Sequence, residues 1–394
     1  MKRITILGSG FAALTAIHEL RKAGVDAEIT VVSPRDHLVY LPSLIWLPDG
    51  SRDAASLRVP LAGYFDRQRV SFHQAAIEAV TEGGRRVVTS QGTVDNDALV
   101  IATGGRFIRK LPGIEHAIIP CEGAASGEAI RDRVAAMDGG TIAIGFATNP
   151  NEPGAVRGGP MFEFLFGLDT LLRRQGRRDR FKLVFFNPST EPGQRLGPKA
   201  VSGLLKEMAK CGIETRLGAK MVRFEADAVV TEAERIPADL ILFMPGLTGP
   251  AWLDGSELPR SAGGFVKADE FCRVEGLDKV YVAGDAGSYP GPDWLAKQAH
   301  QADLQAAAVA KNIAAEFSGR QPATAFKSEL VCIVDTLDAG ILVFRNPRFN
   351  LVLPRLKIFH WMKQVFETRY LKRYRGPAGP QAPRLAGPVE TGAR

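Results

Sequence analysis

Apolar runs closed by small residues recur along the chain and organise it. Ile4-Thr5-Ile6-Leu7 runs into Gly8-Ser9-Gly10-Phe11-Ala12-Ala13 and opens at once into helical spacing through Leu20. A second apolar run covers Ala27–Ser33. Leu99-Val100-Ile101-Ala102-Thr103-Gly104 and Val280-Tyr281-Val282-Ala283-Gly284-Asp285 repeat the form. Unbroken apolar strands of this kind are covered on both faces, which predicts a parallel sheet flanked by helices. Between them, residues 70–72, 75–81 and 86–90 alternate and are predicted to form a small antiparallel insertion. Thr141-Ile142-Ala143-Ile144-Gly145 begins a second unit. There residues 181–186, 215–217, 220–225, 228–231 and 240–244 read as strands and 197–212 as a helix.

The last stretch differs in kind. Residues 330–334 and 341–344 are predicted to form a hairpin about a turn at 335–340. A helix follows Pro354 and continues to about Tyr374. On its wheel Ile358, Phe359, Met362, Val365, Phe366 and Tyr370 share one side, with Lys357, Gln364, Glu367 and Thr368 opposite. Arg355, Arg369 and Arg373 flank the apolar side, where long cations snorkel towards headgroups. Such a helix lies in the plane of a membrane or docks on the protein body, and the pattern leaves both open. Residues 376–394, rich in Pro, Gly and Ala, are expected to be a disordered tail.

Charge sharpens that reading. The formal net charge of the 394 residues is +7, yet the segment from Arg345 to Arg394 alone carries 11 Lys and Arg against 2 Asp and Glu. The body is therefore near neutral, which argues against nucleic acid and for an anionic membrane surface as the partner of the basic, aromatic C-terminus. No run approaches 18 uninterrupted apolar residues, so no spanning helix is expected. Met1-Lys2-Arg3 and the apolar run after it imitate a signal peptide, but those residues are needed as the first strand. The expected location is cytoplasmic, peripheral on the inner face of the cell membrane. Cys121, Cys211, Cys272 and Cys332 are too few and too scattered for a disulfide scaffold, and no Cys-x-x-Cys points to a metal. Nothing in the pattern separates a monomer from a homo-oligomer.

The first turn carries the chemistry. In Gly8-x-Gly10-x-x-Ala13, Gly8 permits the tight turn, Gly10 lets backbone amides approach a pyrophosphate, and Ala13 lets the helix pack close to the strand. The positive helix end at Phe11 and Ala12 faces the phosphates. With Ala102-Thr103-Gly104 and Gly284-Asp285 following in order, the expected cofactor is FAD. Ser33 and Arg35 are placed at the adenosine end, Pro42 in an apolar loop along the flavin ring, and Asp285 at the ribityl or diphosphate region. A helix around residues 295–313 points its positive end at the flavin, with Lys297 and His300 near its start. The fold class is α/β: two Rossmann-like dinucleotide-binding domains of the glutathione-reductase-like flavoprotein kind, with the C-terminal hairpin and amphipathic helix added. The expected layout is an FAD-binding domain over 1–112 and 263–322, a second Rossmann-like domain over 113–262, the hairpin and helix over 323–375, and the tail. The second fingerprint departs from its form. Gly145-Phe146-Ala147-Thr148-Asn149-Pro150 sets a methyl group where the pyrophosphate approaches and a proline where the helix would start, so NAD(P)H binding is expected to be lost and the turn over 151–160 to take its place.

Together these motifs make the chain resemble the sulfide:quinone oxidoreductases. The likeness extends to the flavoprotein subunit of flavocytochrome c sulfide dehydrogenase and, more distantly, to type II NADH:quinone dehydrogenases. The resemblance implies electron transfer from sulfide or another small sulfur-containing donor, such as a persulfide, through FAD to quinone. It places Cys332 at the hairpin redox cysteine, Cys121 at a third cysteine position, and Glu163 where relatives carry a carboxylate near the flavin. No cysteine occupies residues 151–159, where the family's partner thiol lies, so the usual disulfide cycle lacks one member. Two other readings compete: an NAD(P)H:quinone reductase, and a non-catalytic or electron-transfer subunit that keeps FAD and docks a redox partner.

Overall fold

The computed structural model describes residues 1–376; the expected tail lies outside the described residues from 377 onward. Lys2–Leu7 (β1), Ala27–Ser33 (β2) and Val70–Gln74 (β3) run parallel, with Ile4 paired to Ile29 and Ile29 to Val70. Ile77–Thr81 (β4), Arg86–Thr89 (β5) and Gly92–Asp95 (β6) form a separate antiparallel sheet before Ala98–Ile101 (β7) returns beside β1. Residues 70–72 were expected in the insertion and instead form the outer strand of the parallel sheet. Their alternation reflects an edge position, where Phe72 stacks on Phe65 and its neighbours meet solvent. Phe11–Lys22 (α1) crosses behind the sheet, its Ala13, Ala16 and Ile17 fully buried.

The second unit repeats the plan. Gly140–Phe146 (β8), Phe181–Asn187 (β9), Glu214–Leu217 (β10) and Leu240–Met244 (β11) form a four-stranded parallel sheet in the order β10-β9-β8-β11. Gly159–Arg174 (α2) and Pro198–Lys210 (α3) flank it. The chain then returns to the first sheet. Val280–Val282 (β12) pairs with β7 and completes the order β12-β7-β1-β2-β3, and Ala299–Phe317 (α4) packs against α1.

The C-terminal segment holds a strand more than expected. Leu330–Asp335 (β13), Gly340–Arg345 (β14) and Asn350–Leu356 (β15) make an antiparallel sheet. Pro354 lies inside β15 rather than ahead of a helix, which an outer strand tolerates because no inward hydrogen bond is asked of it. Arg355, expected at the helix edge, is therefore on this strand, where its guanidinium donates to Thr336 and Asp338.

Lys357–Arg375 (α5) follows, and its orientation corrects the wheel. Phe359, Glu367, Leu371 and Tyr374 are buried against the body, while Ile358, Trp361 and Phe366 are each more than half exposed. Glu367, placed opposite the apolar side by the wheel, accepts from Arg52 at 3.0 Å beneath the helix. The helix is thus docked on the body and still presents an apolar outer side. No helix among the described residues is long and apolar enough to cross a membrane.

Candidate active site

A cleft of about 1840 Å³ runs between the two parallel sheets and under α5. Its first wall is the β1–α1 turn. Gly8 has φ +105°, and a Cβ there would lie 2.5 Å from the Ala102 carbonyl oxygen, so only glycine lets the turn close on β7. At Gly10 a Cβ would meet nothing within 4 Å, and α1 has no side-chain cap, so the first amides of the helix face open space. Ala13 does not line the cleft; it is fully buried where α1 meets the sheet. Ser33 is tied into the turn: its hydroxyl shares a 3.0 Å contact with the Ser9 hydroxyl and accepts from the Arg35 amide at 3.1 Å. Arg35 and Pro42 line the adjoining stretch.

Beside the β1–α1 turn Ala102, Thr103 and Gly104 lie next to Gly284 and Asp285, at the ends of the paired strands β7 and β12, and all five line the cleft. Gln305 accepts from the Gly284 amide at 2.9 Å and Tyr289 donates to the Gly284 carbonyl at 3.0 Å, which fixes this turn. The Asp285 carboxylate pairs with Arg157. Lys297 was expected on a helix and in fact precedes α4. Its ammonium donates to the Gly287 carbonyl at 2.6 Å and lies 3.8 Å from the centre of the Phe265 ring. Burial pulls it down to about 8, against the opposing pull of Asp285. The start of α4 carries no side-chain cap, and Ala299 and His300 line the cleft there.

The third wall joins the two units. Glu163 on α2, Cys332 on β13, Cys121 in the turn Pro120–Glu122 and Lys363 on α5 all line it. Burial pushes both thiols up to about 12, so neither is a thiolate at neutral pH. That is a poor starting point for the sulfur-carrying role expected of Cys332. A Cβ built on Gly159 would lie 3.6 Å from Cys332 Sγ, which places the opening of α2 directly beside this thiol. Burial also raises the Glu163 carboxyl, against the pull of the paired Lys363 ammonium. Glu163 Oε1 further accepts from the Asp335 amide at 2.9 Å.

Residues 147–158 stand between β8 and α2 where a working fingerprint would have a tight glycine turn. Asn149 donates to the carbonyls of Leu247 and Gly263, and Arg195 reaches the Gly154 and Val156 carbonyls at 2.7 and 2.5 Å. The excursion therefore forms a wall of a second lobe, bounded also by Asn187, Ser189 and Gln194, rather than filling it. Phe146 packs against Gly158 at the start of α2, where a Cβ would lie 2.8 Å from the ring.

Several residues here were not picked out from sequence: Arg157, Arg195, Asp335, His360 and Lys363. For Lys363 a signal existed. Phe359, Lys363, Glu367 and Leu371 recur every four residues, which marks one helix side.

Residues 2–310 match the family model described as pyridine nucleotide-disulphide oxidoreductase. The chain belongs to this family. As a pyridine nucleotide-disulphide oxidoreductase it is an FAD-dependent enzyme, and the observed walls fit the cofactor. An uncapped helix start meets the open space at Gly10, and a second faces the cleft at Ala299. Among relatives, the NADH dehydrogenase-like protein Rv1812c of Mycobacterium tuberculosis is 25% identical over 301 residues, 73% of each chain. The type II NADH:quinone oxidoreductase of Staphylococcus aureus is 24% identical over 397 residues, covering 93% of this chain and 94% of its own. The structure of the sulfide:quinone oxidoreductase of Aquifex aeolicus shares the fold with a TM-score of 0.86 at 21% identity, over 95% of this chain and 92% of that one. NDH2 of Plasmodium falciparum in complex with NADH superposes with a TM-score of 0.71 at 12% identity, over 95% of this chain and 96% of its own.

Proposed function

We propose that this flavoprotein works at a membrane surface, passing two electrons from a small donor through FAD to quinone. The observation that carries the reading is the inverted helix over the cleft. Beneath α5 lie Lys363 with Glu163 and Glu367 with Arg52; on its outside Ile358, Trp361 and Phe366 are exposed. Phe349, Leu351 and Leu356 extend the exposed apolar surface along β15 and its approach. Apolar groups outside and charges inside suit a helix whose outer solvent is lipid, with Arg369, Lys372 and Arg373 exposed near its end to meet anionic headgroups. Phe366 and Lys363 both line the cleft, so a lipid-dissolved quinone has a short way in. Quinone is also in the printed names of the Staphylococcus and Aquifex relatives.

FAD, when bound, takes an electron pair from one substrate and returns it to another. The residues of this chain hold and tune it. The amides at Phe11 and Ala12 would meet the diphosphate, Arg35 the adenosine end, Asp285 the ribityl chain, and Lys297 with the start of α4 the negative charge of the reduced ring. Glu163, its carboxyl raised by burial, would exchange a proton beside the ring. Sulfide or a persulfide is the first donor to consider, since Cys332 and Cys121 both lie close to Glu163 and Lys363. A second reading, with NADH as donor, is favoured by the names of the Mycobacterium and Staphylococcus relatives and by the second lobe beside Asn187 and Gln194. Anaerobic mixing of the yellow protein with sulfide, and separately with NADH, followed by a water-soluble quinone, separates them. The expected result is bleaching by sulfide and recovery of flavin absorbance on adding quinone. Bleaching by NADH alone establishes the second reading, and failure of quinone to restore the colour ends both.

The membrane side has its own test. Trp361→Ser with Phe366→Ser is expected to weaken binding to anionic vesicles on the order of tenfold or more, since burying an aromatic side chain contributes about 1.5–3 kcal/mol. Vesicle flotation measures it, and unchanged binding would remove α5 as the contact.

A further inference from the structure

The charged groups along the cleft are unevenly matched. Asp285 holds Arg157, and Glu163 holds Lys363. Arg345, at the end of β14, has no such partner among the described residues. Its Nη1 donates to the Arg195 carbonyl at 2.9 Å, and its guanidinium lies 5.1 Å from the centre of the Trp294 ring. Trp294 is buried, so the ring holds the guanidinium in place while its Nε and Nη2 stay free of protein acceptors. Arg195 adds a second positive charge behind it, its own guanidinium spent on the carbonyls of Gly154, Leu295 and Val156. The acids at the rim do not cancel these charges: Glu191 and Asp293 are exposed, and Glu191 accepts from Gln194 at 3.2 Å.

We propose that Arg345 and Trp294 form a subsite for the carboxylate of a small organic thiol or persulfide. The inference deepens the sulfur-donor reading above and rests on it. A guanidinium grips a carboxylate best through two parallel N–H groups, and with Nη1 taken by Arg195 the Nε–Nη2 edge is the pair that remains. The position of that edge points to the rest of the ligand. On the β13–β14 hairpin Leu330 pairs with Arg345 and Cys332 with Val343, so Cys332 and Arg345 stand on the same side of the sheet. Diagonal neighbours of this kind are roughly 7–8 Å apart. Cys332, Arg345, Trp294 and Arg195 all line the cleft. A ligand with a short carbon chain therefore reaches from Arg345 to a sulfur beside Cys332. Gly159 has no side chain to crowd that place, since a Cβ there would already lie 3.6 Å from Cys332 Sγ. Bare sulfide, which has no carboxylate, enters without this grip. The subsite thus acts on the choice among donors, favouring those with a carboxylate close to the sulfur over neutral thiols.

Binding to the oxidised holoenzyme tests the subsite without turnover or quinone. Mercaptopropionate, mercaptoethanol and propionate are titrated anaerobically by calorimetry. Mercaptopropionate should bind on the order of tenfold more tightly than mercaptoethanol, which has the same thiol and no carboxylate. Arg345→Gln should remove that advantage, and Arg345→Lys, which keeps the charge but not the fork, should restore only part of it. Trp294→Leu, which releases the guanidinium from its ring, should weaken mercaptopropionate by a smaller factor. Propionate should bind more weakly than mercaptopropionate and lose affinity in the same Arg345→Gln protein. Equal affinities of the two thiols for the wild type, or equal losses of both in Arg345→Gln, would overturn the subsite. So would NADH binding that falls by the same factor in Arg345→Gln, because the guanidinium would then serve a dinucleotide phosphate. If the carboxylate advantage depends on Arg345 but neither sulfide nor the persulfide of mercaptopropionate ever bleaches the flavin, the carboxylate subsite stands and the sulfur-donor reading falls.

Discussion

Lys363→Met destabilises the folded protein by about 3–5 kcal/mol, the usual cost of stranding one member of a buried ion pair. Glu163 and Lys363 are both largely shielded from solvent, and the Lys363 ammonium also approaches the Ile333 carbonyl. Without it, Glu163 keeps the Asp335 amide as its partner and is left with an uncompensated charge. The cost depends on pH, and its sign follows from Glu163. Burial already sets the folded carboxyl above its value in the unfolded chain, and loss of the ammonium raises it further. A carboxyl raised in the folded state contributes stability below its unfolded pKa and loses it as pH rises through the folded one. The variant should therefore be closest to wild type near pH 4 and fall furthest behind at pH 8. Thermal midpoints across that range are the measurement. Glu163→Gln combined with Lys363→Met should regain most of the loss, because the glutamine oxygen can still accept from Asp335. A midpoint deficit independent of pH would show that the pair is not charged in the folded protein.

Gly8→Ala is expected to yield colourless protein. The residue's φ of +105° costs an L-residue about 1–3 kcal/mol, and the new methyl would press on the Ala102 carbonyl at 2.5 Å. That carbonyl cannot retreat easily, because the Ala102 amide is fixed to Leu7 at 2.9 Å in the β1–β7 pairing. The turn and the strand edge would move apart, losing stability and cofactor together. Gly10→Ala makes the contrast. Its φ of −92° suits any residue and its Cβ would touch no protein atom, so the apoprotein's midpoint should hold while FAD affinity falls. Flavin absorbance per protein and apoprotein melting distinguish them; equal melting of the two variants would refute the assignment of Gly8 as the closing residue.

What the residues disclosed followed from how they are buried. Runs such as Ile4–Leu7 and Leu99–Ala102 carry their own evidence, since a strand covered on both faces has no polar position to spare. Ser33, Arg35, Pro42, Thr103, Gly284 and Asp285 were expected in one place because the fingerprint fixes the chain direction at each strand end, and they do share one cleft. The edge strand at Val70 and the outer strand at Asn350 were misread for a common reason. An edge strand alternates like an antiparallel one, and it accepts a proline that would end most other elements. On α5 the wheel groups residues by side but leaves open whether the apolar side meets lipid or the body, so it does not say that Glu367 turns inward. His360 and Asp335 gave no sequence signal, because the contact that unites them closes only when the hairpin and helix meet.

The return of residues 280–317 to the first sheet fixes when that half can form. A nascent chain that has emerged only as far as β7 has neither β12 to cover the far side of that strand nor α4 to cover Ala16, Ile17 and Leu20 of α1. The whole second unit must be synthesised before those surfaces find their partners. Through that interval the apolar surfaces of the amino-terminal half lack their partners, which makes this stage of synthesis the one most exposed to aggregation.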